Sequence, residues 1–350
     1  MIFFITKASK TYTLLSFLNT WGGSIRKMVA FLPYEKLVRA KRFYSGTYIL
    51  TDYDLLSEKQ LLNMNRIYEE FKKYPFELRL LNDPTVSLSR LQQLKILFDS
   101  GINPFRCFPL SKKPNDIHYP VFVRKGADHD GKISDIIKQP EELELTVQNI
   151  LNEGFGEDEI LITEFTDTSD KNKIFRKYAA FILGDEIVPR HIFFSKKWMI
   201  KGADLTENYM ISEEIEFLKT NPHRNQLHKI FQLVGINYGR IDYSLLYGKI
   251  VVWEINPNPM IASSSSLKKS KRKTAHDLFA ENFIRAFNKI NHPGEGVAIK
   301  NPLYISEKLP KEVKQIFSFS QIKYLNSNLY QNIKSILLFY FYIFRNALKN

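Results

Sequence analysis

The sequence GRIDYS at residues 239–244, followed by IVVWEINPNP at residues 250–259, decides how this chain folds. Both segments alternate apolar with polar residues and are rich in β-branched and aromatic side chains, a pattern typical of strands. Residues 247–249 between them are Tyr-Gly-Lys and supply turn chemistry, so we predict an antiparallel hairpin. If those three residues form the loop, Asp242 lies directly opposite Glu254.

Two carboxylates that face each other across this hairpin need a neutralising partner. Facing residues of an antiparallel pair have Cβ atoms about 4.5–5.5 Å apart, so ionised Asp242 and Glu254 would repel each other. Asn256 projects from the same strand face as Glu254 and adds an amide oxygen. Mg²⁺ or Mn²⁺ prefers such an all-oxygen set, with positions left for water and phosphate oxygens. A surface hairpin with scattered polar residues has the same spacing, so the spacing alone leaves both interpretations open.

The hairpin resembles the closing motif of the ATP-grasp superfamily, in particular of its glutathione synthetase-like and RimK-like carboxylate-amine ligases. Arg240 shortly precedes the strand aspartate, and the second strand ends in Glu-Ile-Asn-Pro-Asn-Pro. The resemblance covers roughly residues 45–290. It implies that Asp242, Glu254 and Asn256 hold Mg²⁺ (or Mn²⁺) against the phosphates of ATP.

The resemblance also implies an α/β (α+β) fold, in which an N-terminal parallel-sheet domain precedes two α+β subdomains that clamp ATP. The first part of the chain has matching patterns: residues 46–52 have strand character, and Ser57 is placed to cap a helix that runs to Phe71. Strand and helix patterns alternate there, which favours a parallel sheet. We therefore expect a parallel-sheet domain, a lid subdomain, a C-terminal subdomain with the metal hairpin, and a basic, aromatic extension, at residues 1–110, 111–163, 164–290 and 291–350 respectively.

The sequence YPVFVRKG at residues 119–126 is an apolar run that ends in two cations. In the family, the corresponding strand commonly reads Pro-Val-Val-Val-Lys, and its terminal lysine contacts the α-phosphate of ATP. By count this position is Arg124, while Lys125 would face the other side of the strand. Arginine and lysine contact phosphate differently, so the assignment stays open between the two. Residues 126–131, which include His129, resemble the family's loop that covers the ATP phosphates.

Other strand ends carry further candidates. Residues 160–165 form a short apolar strand that ends in Glu164 and Phe165 and resembles the family hinge, whose backbone groups bind the adenine edge. A hairpin is predicted to turn at residues 184–185, and residues 198–201 predict another strand. In the family, cations at such strand ends face ATP phosphates or an anionic substrate, although solvated strand edges have the same composition. The cations in question are Arg176, Arg190 and Lys201.

The composition narrows the class of protein. With 350 residues and 44% hydrophobic content, the chain fits a globular protein of two or three domains. A single cysteine, Cys107, excludes an intramolecular disulfide framework and favours a reducing compartment, so we expect a cytoplasmic protein. The 50 basic and 37 acidic residues give a net charge of +13, which favours anionic partners. No nucleic-acid-binding module is recognisable, so we expect no nucleic-acid partner.

Neither end of the chain predicts a targeting or membrane-spanning segment. Residues 1–6 are too short for a signal sequence and predict a first buried strand. Residues 336–344 are apolar and aromatic but fall far short of the ~20 residues that a bilayer span requires. Packing on the chain's own fold, peripheral membrane contact and a homo-oligomer contact stay open for this run. The basic run at residues 268–273 predicts a solvated loop in preference to a phosphate-binding patch.

The candidate site combines metal ligands, cations and a nucleotide cleft, without a Ser-His-Asp or Cys-His arrangement. Phosphoryl transfer needs mainly positioning and charge neutralisation from the protein. The resemblance therefore implies an ATP-dependent ligase, in which an unidentified carboxylate attacks ATP to give an acylphosphate and an amine or similar nucleophile displaces phosphate. In this reaction Arg240 would stabilise the charge that develops on the γ-phosphoryl oxygens. Two alternatives stay open: an ATP-grasp kinase that phosphorylates a hydroxyl, and a non-catalytic ATP-binding scaffold.

Overall fold

The computed structural model describes residues 1–86, 88–125, 134–262, 265–292 and 296–304. Two sequence predictions lie outside these ranges, the phosphate-covering loop at 126–131 and the apolar run at 336–344. No helix within the ranges has the length and apolar character of a membrane span. The described strands and helices are, in chain order, β1 (Ile2–Thr6), α1 (Tyr12–Leu18), β2 (Val29–Pro33), α2 (Tyr34–Leu37), β3 (Arg42–Tyr44), β4 (Gly46–Leu50), α3 (Glu58–Phe71), β5 (Leu78–Leu81), α4 (Arg90–Asp99), β6 (Cys107–Pro109), β7 (Val121–Lys125), α5 (Pro140–Asn152), β8 (Ile160–Glu164), β9 (Phe175–Leu183), β10 (Glu186–Ser195), α6 (Asn208–Thr220), α7 (Arg224–Leu233), β11 (Tyr238–Leu246), β12 (Lys249–Asn256), α8 (Lys273–Ile290) and β13 (Ala298–Lys300).

The predicted N-terminal parallel sheet is present. Four strands pair in parallel in the order β2-β1-β4-β5. Every residue of β1 is buried, as expected for a strand in a parallel sheet that is covered on both faces. α3 begins after Ser57, whose hydroxyl accepts from the Gln60 N–H at 3.4 Å, while the Gln60 side chain accepts from the Ser57 N–H at 3.1 Å. The predicted helix cap is therefore confirmed and is a reciprocal capping box.

Two antiparallel sheets follow along the chain. One has three strands in the order β6-β8-β7, and the other has four strands in the order β10-β9-β11-β12. The hairpin of β9 and β10 turns at residues 184–185 as predicted. The predicted strand at residues 198–201 is wrong: the chain forms bends there, and the Trp198 ring packs against the Phe122 ring with 4.8 Å between centroids. The chain is thus a mixed α/β protein with parallel and antiparallel sheets, as expected.

The parallel sheet supplies side chains to two hydrophobic cores. Ile2 and Phe4 of β1 point into a large core that also contains residues of the four-stranded antiparallel sheet and α8. Phe3 and Ile5 point the other way, into a core with α3. Because successive side chains of a strand alternate between faces, one short apolar strand joins both cores. The large core fixes the four-stranded antiparallel sheet relative to the N-terminal domain.

Two buried asparagines also join these parts of the chain. Asn82 follows β5 with φ of 64°, and its amide nitrogen donates to carbonyl oxygens in β4 and β11 at 2.9 and 2.8 Å. Its Oδ1 accepts from the N–H groups of Asn237 and Tyr238 at 3.0 and 2.9 Å. Asn103 donates to and accepts from the backbone of Val252 in β12, at 3.0 and 2.8 Å. Both side chains thereby satisfy backbone groups that would otherwise be buried without partners.

The residues after α8 return to the N-terminal domain. β13 pairs antiparallel with β3, and Ile299 lies opposite Phe43. Both side chains are buried in the core that contains α3. The Asn301 side chain donates to the carbonyl oxygens of Leu37 and Ala40 at 2.8 and 2.7 Å. The first part of the predicted C-terminal extension therefore completes the N-terminal domain.

We expect Asn82→Ala to lower the free energy of unfolding by about 3 kcal/mol or more, because several buried backbone groups lose their partners at roughly 1–3 kcal/mol each. Urea denaturation followed by circular dichroism measures this change. Asn82→Gly is the matched control, since glycine adopts positive φ without strain and separates the backbone effect from the lost hydrogen bonds. Wild-type stability in both variants would show that Asn82 does not join the two parts.

Candidate functional site

The hairpin predicted to hold a metal is present as β11 and β12. Asp242 lies opposite Glu254, and Arg240 lies opposite Asn256. Directly opposite residues of a strand pair, and residues two apart along a strand, project from the same face. The four side chains therefore share one face of the hairpin. The prediction that Asp242 faces Glu254 is confirmed.

The turn of this hairpin differs from the prediction. Tyr247 and Gly248 form a two-residue turn with φ of 51° and 76°, and Lys249 already pairs with Leu246. Positive φ at both central residues is typical of the tight turns that match strand twist. A bulge at Trp253 then adds one residue to β12 and shifts the register back. The prediction of a three-residue loop was wrong. The extra residue at the bulge nevertheless restores the pairing of Asp242 with Glu254 that such a loop would have produced.

Three cations neutralise the facing carboxylates. Arg240 Nε and Nη2 donate to the two carboxylate oxygens of Asp242 at 2.7 and 3.2 Å. Lys177 Nζ lies 3.6 Å from Asp242 Oδ2. Arg90, at the start of α4, forms an ion pair with Glu254. Asp242 therefore has two cationic partners and Glu254 has one, which offsets the repulsion between the two like charges.

Asn256 is positioned by the loop that follows β12. Its Oδ1 accepts from the Asn258 N–H at 2.7 Å, and an amide oxygen can accept a second bond. The buried Asn258 side chain accepts from the Thr13 hydroxyl at 2.7 Å and donates to Asp52 at 2.8 Å. Asp52 follows β4 at the carboxyl edge of the parallel sheet. The amide of Asn256, the third predicted metal ligand, is thus supported by the N-terminal domain.

A cavity of about 480 Å³ lies between the three-stranded sheet and the four-stranded antiparallel sheet, beside the β11-β12 hairpin. Its aromatic lining includes Phe122, Phe165 and Trp198, and the Trp198 ring centroid lies 4.8 and 5.5 Å from those of the two phenylalanines. Apolar walls with a few convergent polar groups are typical of small-molecule sites. The charged and amide side chains that line it are Arg124, Lys177, Lys201, Arg240, Asp242, Glu254 and Asn256.

Of the two phosphate candidates in β7, Arg124 lines the cavity. Its Nε is buried and has no hydrogen-bond partner among the described residues. Burial and the neighbouring Arg90 lower the pKa of its guanidinium. An unpaired buried donor beside a cavity is costly unless a ligand or water accepts from it. For Lys125 the structure describes the backbone, which pairs with Ile160.

The predicted hinge at the end of β8 contributes one residue to the cavity, Phe165. The Glu164 carboxylate instead accepts from Arg106 Nε and from the His118 N–H, both at 2.9 Å. Burial opposes ionisation, but the hydrogen bonds from Arg106 and from backbone N–H groups outweigh it and lower the pKa of Glu164. The N–H groups of Glu164 and Phe165 donate to the carbonyl oxygens of Arg106 and Pro120 at 3.0 and 2.8 Å. Neither N–H is therefore available to bind adenine.

The predicted strand-end cations lie in different environments. Lys201 lines the cavity, whereas Arg176 and Arg190 do not. Arg176 forms ion pairs with Asp170 at 2.6 Å and Glu213 at 2.8 Å, so its charge is used within the protein. Arg190 is buried against α8. The structure thus brings Lys201 to the cavity but not the other two.

Two cations at the site, Lys177 and Arg90, were not among the predicted residues. Lys177 follows Arg176 in β9, and since side chains alternate along a strand, the two face opposite sides. Only the register of β9 against β11 decides which of them faces the hairpin. Arg90 contacts Glu254 across 164 residues of sequence. No local pattern marks it as a site residue.

No protein-family model matches the sequence, and no curated protein matches it. Solved structures similar to this chain include a D-alanine–D-alanine ligase from Bacillus anthracis, with 12% identity, a TM-score of 0.42, and coverage of 82% of this chain and 98% of that one. A RimK domain ATP-grasp protein from Sphaerobacter thermophilus has 10% identity, a TM-score of 0.43, and coverage of 81% and 99%. The ATP-grasp ligase PsnB, complexed with Mg and ADP, has 12% identity, a TM-score of 0.43, and coverage of 81% and 97%. ATP-grasp proteins are thus among the structures that this chain resembles, and likenesses this distant assign it no activity.

We expect Arg124→Ala to weaken ATP binding at least tenfold in calorimetric titration with Mg²⁺. A hydrogen bond to a charged group contributes roughly 1.5–3 kcal/mol, and about 1.4 kcal/mol corresponds to a factor of ten. Lys125→Ala is the neighbouring control and should change the affinity about twofold or less. The reverse outcome would transfer the phosphate contact to Lys125. If neither variant loses affinity, β7 is not the phosphate-binding strand.

Proposed function

We propose that this chain is an ATP-grasp ligase that uses Mg·ATP to join a carboxylate to an amine or a similar nucleophile. One observation carries the proposal: Arg240, Asp242, Glu254 and Asn256 share one face of the β11-β12 hairpin, beside a cavity of about 480 Å³. These residue types at this spacing form the motif on which the ATP-grasp resemblance of the sequence rests.

The cavity offers surfaces suited to both parts of a nucleotide. Phe122, Phe165 and Trp198 provide aromatic rings for a base, and base–aromatic stacking contributes about 1–3 kcal/mol per base in proteins that bind single-stranded nucleic acid. Arg124 and Lys177 provide cations for phosphate oxygens, to which charge-assisted hydrogen bonds are roughly twice as strong as neutral ones. Both groups line the same cavity, which supports ATP as the ligand.

The oxygen atoms of the hairpin suit a hard divalent cation. Asp242 and Glu254 supply carboxylates, each with about four lone-pair sites, so their ion pairs leave room for a metal. Asn256 adds an amide oxygen. In the part of the chain that the structure describes, no group of three or more His, Cys, Asp or Glu side chains is placed to hold a metal. Magnesium usually binds through one or two carboxylates together with substrate phosphates, where it neutralises phosphate charge, so the three residues fit Mg²⁺ that arrives with ATP.

The proposed reaction has two steps. A substrate carboxylate oxygen attacks the γ-phosphorus of ATP, the bond from that phosphorus to the ADP oxygen breaks, and an acylphosphate forms. The amine nitrogen then attacks the acyl carbon, the bond from that carbon to the phosphate oxygen breaks, and the nitrogen loses a proton. The products are an amide, ADP and phosphate.

The proposed role of Arg240 is to stabilise negative charge in both steps. Its Nε and Nη2 bind Asp242, and its Nη1 donates to the Met260 carbonyl oxygen at 3.3 Å, which fixes the guanidinium plane. These contacts use three of its five N–H groups and leave two for the reacting phosphoryl and acyl oxygens. Removal of one preorganised donor of this kind typically lowers kcat about 10²- to 10³-fold.

Calorimetric titration of ATP with and without Mg²⁺ tests the proposed function. Wild-type protein should bind ATP in a metal-dependent way, and Asp242→Asn should lose the dependence on metal. Product analysis with carboxylate and amine pairs then separates the candidate activities. A ligase releases ADP and free phosphate, a kinase leaves the phosphate on its acceptor, and a scaffold releases neither. Absence of ATP binding by folded wild-type protein contradicts the proposal.

We expect Glu254→Gln to weaken Mg·ATP binding at least tenfold and to abolish turnover, because a neutral amide replaces one of the two carboxylates that hold the metal. Glu216→Gln is the matched control, since Glu216 is exposed on α6. This control should bind and turn over as the wild type does. Unchanged turnover in Glu254→Gln would overturn the assignment of the metal ligands.

A further inference from the structure

Two segments of the chain, residues 1–34 and 255–276, contain no acidic residue. The whole chain has 37 acidic residues among 350, so segments of these lengths would ordinarily contain several. Both segments nevertheless carry cations, four in the first and five in the second. Any surface that the two segments share is therefore strongly positive.

The structure brings these two segments together beside α8. The short 3₁₀ helices Gly22–Met28 and Ser265–Lys269 both contact α8. Lys268 Nζ lies 5.3 Å from the ring centroid of Trp21, and Trp21 Nε1 donates to Asp277 of α8 at 2.9 Å. One surface of the protein therefore combines residues from both acid-free segments.

The lysines of this surface extend into solvent. We define the basic face as five exposed lysines from the two segments: Lys27, Lys268, Lys269, Lys271 and Lys273. Lys273 forms an ion pair with Asp277. Lys27, Lys269 and Lys271 have no ion pair with another residue that the structure describes. The basic face therefore carries more positive charge than the neighbouring carboxylate compensates.

The two arginines of this region are held by the protein. Arg272 belongs to the run at residues 268–273 that was predicted to be a solvated loop, but it is buried and forms an ion pair with Glu214. Arg26 is half-buried and donates to the Asn19 side chain at 2.8 Å. Arginine binds phosphate through a rigid fork, whereas lysine is a flexible, strongly hydrated point charge. The exposed lysines therefore suit an anionic surface better than the recognition of a single phosphate group.

A tyrosine and a tryptophan accompany the lysines. Trp21 is half-buried next to Lys268, and Tyr12 of α1 is 40% exposed. Hydroxyl contacts in steps of four residues link Thr20 to Ser16 and Ser16 to Tyr12, so these residues share one side of the helical segment. The Thr20 carbonyl oxygen accepts from Lys268 Nζ at 2.7 Å. Tryptophan and tyrosine are enriched at membrane–water interfaces, so their place beside the lysines fits a lipid surface.

The sequence also contains an apolar segment that a lipid surface could receive. Residues 336–344, which lie outside the described ranges, are apolar and aromatic and are flanked by Lys334 and Arg345. Stable membrane attachment takes two signals, such as an apolar anchor together with a basic patch. A nucleic acid offers no apolar layer, and no nucleic-acid-binding module is recognisable in the chain. Among polyanions, a lipid surface is therefore the one that uses both features.

We propose that the basic face binds the anionic surface of a lipid membrane. Each lysine near such a surface strengthens binding about fivefold, which corresponds to about 1 kcal/mol. The attraction is screened over about 10 Å at 0.1 M salt, so it weakens as the salt concentration rises. The inference goes beyond the proposed function and does not depend on it, since no lysine of the basic face lines the cavity.

Vesicle sedimentation tests this contact. Full-length protein is mixed with vesicles of phosphatidylcholine alone or of phosphatidylcholine with phosphatidylglycerol, and the bound fraction is measured at low and high salt. The protein should bind the anionic vesicles at least tenfold more tightly than the neutral ones, and high salt should remove this preference. Equal binding to both kinds of vesicle, or binding to neither, overturns the proposal.

A triple substitution assigns the preference to the basic face. Lys27→Gln, Lys269→Gln and Lys271→Gln together should weaken binding to anionic vesicles at least thirtyfold, because three contributions of about fivefold are lost. The matched control is a triple Lys→Gln variant at exposed positions outside both acid-free segments, which should change the affinity threefold or less: Lys112, Lys113 and Lys229. Equal losses in the two triple variants would show that net charge alone acts, and would overturn the role of the basic face.

Two further measurements decide the outcome without the triple variant. Hydrogen exchange in the wild-type protein should slow at residues 22–28 and 267–273 when anionic vesicles are added, and unchanged exchange there contradicts the proposal. Single-stranded and double-stranded DNA are titrated at the same salt concentration by fluorescence anisotropy. Tighter binding to DNA, per phosphate group, than to anionic vesicles overturns the membrane contact and assigns the basic face to nucleic acid.

Discussion

The site depends on two like charges that face each other across one strand pair. Asp242 and Glu254 are compensated by cations from three parts of the fold: Arg240 from the same hairpin, Lys177 from the neighbouring strand β9, and Arg90 from α4 of the N-terminal domain. One of these compensating ion pairs, between Arg90 and Glu254, therefore joins the N-terminal domain to the β11-β12 hairpin beside the cavity.

Three asparagine side chains hold the strands around this centre. Asn82 and Asn103 pair with backbone groups of β11 and β12, and Asn258 links the loop after β12 to Asp52. An amide both donates and accepts, so one side chain can satisfy backbone groups of either kind. An amide also adds no charge to the β11-β12 hairpin, where cations already compensate the two carboxylates. Neutral amides thus position the strands without changing the charge balance of the cavity.

Local patterns in the sequence predict much of this arrangement. Alternation along residues 239–259 predicts the hairpin, and the Ser57 cap predicts the start of α3. The pairing of Asp242 with Glu254 was predicted from a three-residue loop that is not formed, and the pairing holds because of the bulge at Trp253. What the patterns cannot decide is which of two adjacent cations faces the cavity, because that depends on strand register. Arg176 was chosen although Lys177 lines the cavity. Arg90 escaped prediction since its contact with Glu254 depends on tertiary packing, which no spacing in the sequence records.

The pairing of β13 with β3 has a mechanical consequence. The chain leaves the N-terminal domain after α4 and re-enters it after α8, so two covalent connections join that domain to the antiparallel sheets. A body attached at two points resists rotation about every axis except the line through both points. The shared hydrophobic core and the ion pair of Arg90 with Glu254 oppose that remaining rotation, so the N-terminal domain is held against the four-stranded antiparallel sheet.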